Sequence, residues 1–175
     1  MIDYQEDKKV GILGVGNILL SDEGFGPHFV KYLEKNYVYS DEIEIIDGGT
    51  AGIMLSSFVE AKESIFIIDV VNIDSEPGDI YLFNHEEITA KNIQSSLSAH
   101  QVGLSDIITL NSFANIKAPK KIEYITIVPK SLDAGVGLTS CLESKMEEIL
   151  KILNEKLIKL DENFKITPIK DAHKI

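Results

Sequence analysis

Short apolar runs alternate along this chain with stretches in which apolar side chains recur every three or four residues. Val10–Val15 is a buried-strand pattern, ended by Gly16-Asn17. Over Gly24–Asn36, Phe25, Phe29, Val30 and Leu33 fall at helical spacing. Pro27 suits the first helical turn, where its missing N–H is not needed. Ile43–Ile46 reads as a second strand, stopped by Asp47-Gly48-Gly49-Thr50, and a helix is expected across Ile53–Val59. Ser64–Val71 is nearly all apolar, as in a strand covered on both faces. Pro77-Gly78 marks a turn before a short extra strand over Asp79–Phe83, expected at an edge. Asn84–Ala99 is polar and carries no clear pattern. Gly103–Ser112 reads as a helix, and Ile122–Val128 as a strand stopped by Pro129. The clearest helix is Thr139–Lys159, with Leu142, Met146, Ile149, Leu150, Leu153 and Leu157 on one face. Thr139 or Ser140 is its expected cap, with Glu143 near the first turn. Residues 161–175 are charged and aperiodic, and read as a flexible tail.

Strands alternating with helices predict an α/β fold: a three-layer, mostly parallel twisted sheet flanked by helices on both faces. A length of 175 residues fits a single domain, 1–175, with its core over 9–158. In such sheets the carboxyl ends of the strands hold the site. Asp47 and Asp69 end the second and third strands, and Glu23 lies in the loop after the first. Each has a bland reading, such as a strand-end turn acid or an acid at a helix N-terminus. Together, three acids from separate segments reach one edge. His100, in Ser98-Ala99-His100-Gln101-Val102-Gly103-Leu104, lies in a non-apolar loop directly before a helix. Glu23, Asp69 and His100 converging on one point would form an open metal site, with three ligands and room for a substrate atom.

A net charge of −11 argues against a nucleic-acid groove or an anionic membrane surface as partner. All 17 basic residues are lysines, so no bidentate arginine clamp on phosphate or carboxylate is available. Cys141 is the sole cysteine, which excludes an internal disulfide and a cysteine-rich zinc site; a small buried residue is the expectation. The polar, acidic N-terminus lacks the apolar stretch of a signal peptide, and no run approaches the ~20 residues of a membrane span. A cytoplasmic location is the default expectation, with no membrane insertion.

Other motifs are weaker. Gly14-x-Gly16 after the first strand resembles a dinucleotide fingerprint, but Leu19 fills the third glycine position and Asp47 lies too far along for the ribose acid. A tight strand-to-loop turn explains the glycines better. His85-Glu86-Glu87-Ile88-Thr89 has threonine where a zincin helix has its second histidine, and reads as a solvated segment. No Gly-x-Ser-x-Gly elbow exists. His28 falls in a helical pattern and His173 in the tail; both read as structural or solvated.

Several motifs in order give a more specific signal. Gly14-Val15-Gly16-Asn17-Ile18-Leu19-Leu20-Ser21-Asp22-Glu23-Gly24 is followed by Asp47-Gly48-Gly49-Thr50-Ala51-Gly52, Asp69 and His100-Gln101-Val102-Gly103-Leu104. Pro129-Lys130-Ser131-Leu132-Asp133 and Gly135-Val136-Gly137-Leu138-Thr139 complete the set. This series resembles the endopeptidases that mature [NiFe]-hydrogenase large subunits. The resemblance implies metal ligation by Glu23, Asp69 and His100, a role in activity for Asp47, and substrate positioning by Gly48, Gly49 and Thr50. It implies as substrate a large-subunit precursor already loaded with nickel, from which a short C-terminal extension is removed. Nickel is then presented by the precursor, and other divalent ions are expected to substitute in the free enzyme. Imidazole and carboxylate both suit nickel, and the absence of thiolates from the set fits a site that samples a partner's metal. Pro27-His28 and the acidic N-terminus depart from the family pattern. The alternatives are a non-catalytic nickel-sensing maturation factor on the same fold and a nucleotide-binding oxidoreductase.

Overall fold

The computed structural model describes residues 9–90 and 119–172. His100, His173, the helix expected over Gly103–Ser112 and most of the polar stretch after Asn84 lie outside them. Elements are numbered along the described residues. The first half comprises β1 (Val10–Val15), α1 (Phe25–Asn36), β2 (Tyr37–Tyr39), β3 (Ile43–Gly49), α2 (Ser56–Glu60) and β4 (Ser64–Val70). The second comprises β5 (Ile80–Asn84), α3 (His85–Ala90), β6 (Lys121–Ile127), α4 (Ser140–Glu143), α5 (Met146–Leu160), β7 (Ile166–Pro168) and α6 (Ile169–Ala172). Single 3₁₀ turns, Ser21–Gly24 and Gly52–Leu55, precede α1 and α2.

The main sheet has strand order β3-β1-β4-β6-β5. Four strands are parallel, and β5 pairs antiparallel with β6 at the edge. Alternation along the central strands divides the core into two layers. Ile12, Phe66, Ile68, Ile125 and Ile127 face Phe25, Phe29 and Leu33 of α1 and Ile149, Leu153 and Leu157 of α5. Leu13, Ile65, Ile67 and Tyr124 pack on the other side with Leu55, Val59 and Ile88. The expected three-layer, mostly parallel α/β fold is the one observed.

Six local expectations are corrected. Strand β3 runs through Asp47 and Gly48 to Gly49, because a register shift lets it continue: Gly14 pairs with Asp47 and Val15 with Gly49. Asp69 is the penultimate residue of β4 and pairs with Thr126, so it lies within the strand. The continuous helix over 139–159 is two helices, broken at Ser144-Lys145. Thr139 makes no side-chain cap bond, because its hydroxyl donates to Asp22. The segment His85–Thr89 forms the start of a short helix that buries Ile88 fully.

The sixth correction concerns the flexible tail. Strand β7 pairs antiparallel with β2, with Tyr39 opposite Ile166. Phe164 and Ile166 are buried in the α1–α5 layer. The Asn154 side chain holds Ile166 at both ends, donating to its carbonyl at 3.0 Å and accepting from its N–H at 2.8 Å.

Candidate functional site

The carboxyl ends of β1, β3 and β4 meet at one edge, where Gly14 pairs with both Asp47 and Ile68. The first turn of α1 sits directly on them. A β-carbon on Gly26 would overlap the carbonyl oxygens of Val15 and Ile68, and one on Gly14 would overlap the carbonyl of Gly26. Gly16 has φ +138°, and a β-carbon there would overlap the Glu23 carbonyl. The two glycines of the first motif thus serve close packing of the loop that carries Glu23, as the tight-turn reading holds.

Glu23 sits on the 3₁₀ turn Ser21–Gly24, which lies against β4. Its Oε2 is buried and has no hydrogen-bond partner among the described residues. A buried carboxylate oxygen left in that state is unfavourable, so a cation or a hydrogen-bond donor is needed to meet it. Asp69 is fully buried, and its Oδ1 accepts from the Val70 N–H at 2.7 Å. The fully buried Asp69 and the half-buried Glu23, one of whose carboxylate oxygens is buried, therefore arrive on touching elements. Asp47 differs: its side chain is exposed, accepts from the Gly49 N–H at 3.0 Å and lies 3.8 Å from the Lys31 ammonium of α1. Gly49 takes φ +46°, its carbonyl accepts from the Gly16 N–H, and Thr50 is exposed. His100 lies outside the described residues, and among those described no three His, Cys, Asp or Glu side chains converge as an ion-binding set.

Two residues at this edge were not selected from sequence for the site. Asp22 is fully buried. Its Oδ2 accepts from the N–H groups of Lys130 and Ser131 at 2.9 and 3.0 Å and from the Thr139 hydroxyl at 3.0 Å. Its Oδ1 accepts from the Thr139 N–H at 2.7 Å. One carboxylate thereby ties the loop 129–139 beside Glu23. The only local hint was its place next to Glu23 in the first motif. His28, in the first turn of α1, packs its ring beside Gly24, and its Nε2 is buried without a partner among the described residues. Burial first and the Lys31 charge second hold its imidazole below the ordinary histidine value, against the opposing pull of Asp47 and Glu143. It is neutral at pH 7.

Residues 27–156 match the hydrogenase maturation protease family. The chain belongs to that family. Among relatives of this maturation protease, the hydrogenase 2 maturation protease of Escherichia coli K12 is 36% identical over 144 residues, 82% of this chain and 87% of that one. The hydrogenase expression/formation protein HoxM of Azotobacter vinelandii is 31% identical over 147 residues, 83% of this chain and 70% of that one. The solved hydrogenase maturating endopeptidase HybD from E. coli superposes with a TM-score of 0.85 at 32% identity, over 94% of this chain and 99% of that one. No described helix of the protease is long and apolar enough to cross a membrane.

Proposed function

We propose that this protease is an endopeptidase that removes the C-terminal extension of a nickel-loaded [NiFe]-hydrogenase large-subunit precursor. The observation that carries the reading is the buried Oε2 of Glu23, without a partner among the described residues, on a turn packed against the strand of Asp69. Oxygen donors of this kind suit a divalent ion that arrives already held by its own ligands. In this reading Glu23 and Asp69 offer carboxylate oxygens to the precursor's nickel, and His100 offers a neutral imidazole. That engagement places the scissile peptide at the sheet edge. Hydrolysis adds water across its C–N bond, hydroxide to the acyl carbon and a proton to the leaving amine. Asp47, exposed and only weakly engaged by Lys31, is free to orient that water or the peptide, with Gly48, Gly49 and Thr50 beside it.

The test is incubation of the protein with purified precursor, with and without nickel, followed by mass measurement. Shortening of the nickel-loaded precursor alone is expected. Glu23→Gln, Asp69→Asn and His100→Ala should each reduce it by at least a hundredfold while unfolding remains cooperative. Residues that act as a unit should also fail non-additively. Efficient cutting of nickel-free precursor, or full activity in any one folded variant, refutes the reading. Precursor binding without shortening would instead make the protein a non-catalytic factor.

A further inference from the structure

The loop that carries Glu23 and the loop 129–139 are joined along their length. Ser21 donates its N–H to the Gly135 carbonyl at 2.9 Å and its hydroxyl to the Asp133 carbonyl at 2.9 Å. Gly135 donates to the Leu19 carbonyl at 2.9 Å, and Asp22 donates its N–H to the Ser131 carbonyl at 3.1 Å. Leu20 and Gly135 form a parallel bridge, and the Asp22 carboxylate adds its four bonds from beneath. Ser21 holds φ +48°, a conformation that costs a non-glycine residue energy and persists only where its surroundings fix it.

This bonded pair of loops holds apolar side chains in water. Ile18 is 38% exposed, Leu19 61%, Leu132 39% and Val136 83%. They are four of the nine large exposed hydrophobics among the described residues, concentrated on two short loops. The charges on these loops are few: Asp22 is buried among four donors, and the exposed Lys130 and Asp133 are opposite in sign. In a chain of net charge −11 the exposed charges of this pair of loops balance, and the loops are continuous with the turn that carries Glu23. Apolar side chains fixed beside a candidate catalytic carboxylate have the character of a preformed contact surface.

We propose that Leu19, Leu132 and Val136, with Ile18, form a docking platform for an apolar stretch of the large-subunit precursor, held in shape by Asp22. This rests on the endopeptidase reading and adds how the substrate polypeptide is gripped. The platform binds chain, and the carboxylates beside it read the metal.

The experiment measures affinity and processing together. Leu19→Ser, Val136→Ser and the double variant are compared with unmodified protein for binding nickel-loaded precursor on a sensor surface, and for KM and kcat of shortening. Ile158→Ser, beside Tyr37 and Pro168 near the β2–β7 pair, is the control. Each platform variant should weaken binding and raise KM by roughly tenfold, the scale of one buried aliphatic side chain. The kcat, the melting temperature and the control variant should stay unchanged. Normal affinity and KM in the double variant overturn the platform while leaving the endopeptidase reading intact. Failure of the unmodified protein to bind or cut precursor overturns both. A concentration-dependent dimer abolished by the same substitutions assigns the face to a second copy, and also overturns the platform.

Discussion

Replacing Asp22 tests whether one buried carboxylate holds the functional edge together. Asp22→Ala leaves three backbone N–H groups and one hydroxyl without their acceptor, at a position with no solvent access. Each buried donor left unsatisfied costs about 1–3 kcal/mol. The four share one acceptor and one loop, so the costs overlap, and about 3–5 kcal/mol is the expected total. That is a large share of the roughly 5–15 kcal/mol of a typical domain. Asp22→Asn is gentler. Its oxygen can keep the three donors at Oδ2, while its NH₂ group confronts the Thr139 N–H, for about 1–3 kcal/mol. Thr139→Val removes the hydroxyl alone and should cost about 0.5–1.5 kcal/mol. The assay is urea unfolding followed by circular dichroism and tyrosine fluorescence, since the chain has no tryptophan. A midpoint shift at constant slope reads stability directly. The graded order Ala > Asn > Thr139→Val is the signature. An Asp22→Ala protein within about 1 kcal/mol of the original would refute the four-bond clamp.

Two further outcomes follow from parts of the fold remote from this edge. Truncation after Leu160 removes Phe164, Ile166, the β2–β7 pairing and both Asn154 bonds, and should lower the melting temperature by roughly 10 °C; an unchanged melting temperature would show the segment to be dispensable. Burial raises the Glu123 carboxyl, but Lys121 at 2.7 Å and Lys156 outweigh it and hold it below the ordinary value of 4.5. A depressed carboxyl contributes stability above its unfolded value that is lost as pH falls through the folded one. The stability gap between the original and Glu123→Gln should therefore be constant from pH 7 to about 5 and close below 4.5. A gap that does not change across urea titrations from pH 7 to 3 would contradict this.

Legibility from sequence followed the length scale of the interaction. The central strands were readable because both faces are buried, so Val10–Val15 and Ser64–Val70 are apolar without interruption. Helix α1 was readable because Phe25, Phe29, Val30 and Leu33 face one layer at a 3.6-residue period. The placement of Asp47, Asp69 and Glu23 at one edge followed from parallel topology alone. The break at Ser144-Lys145 was hidden because Leu142 and Ile149 enter the same core layer, so the apolar pattern runs on across a real interruption. Strand β7 escaped notice because three residues are too few for any period, and Pro168 argues locally against a strand that an edge position tolerates.

Asp22 is the limiting case. In the sequence it is one of two adjacent acids, and the helix-terminus reading applies to either. Its partners lie 108 to 117 residues away, on backbone atoms whose identity leaves no trace in residue type. Only Thr139 contributes a side chain to the clamp. Buried donors supplied by backbone are invisible to patterning, yet they decide which of the two acids is engaged. The Asp22 carboxylate makes its four bonds to the opposite loop, whereas Glu23 keeps a buried oxygen with no partner among the described residues. Substitution separates the two roles. Loss of Asp22 should appear first as lost stability, and Glu23→Gln as lost processing in a protein that unfolds normally. The reverse assignment would mean that the structural clamp and the residue proposed for processing had been exchanged.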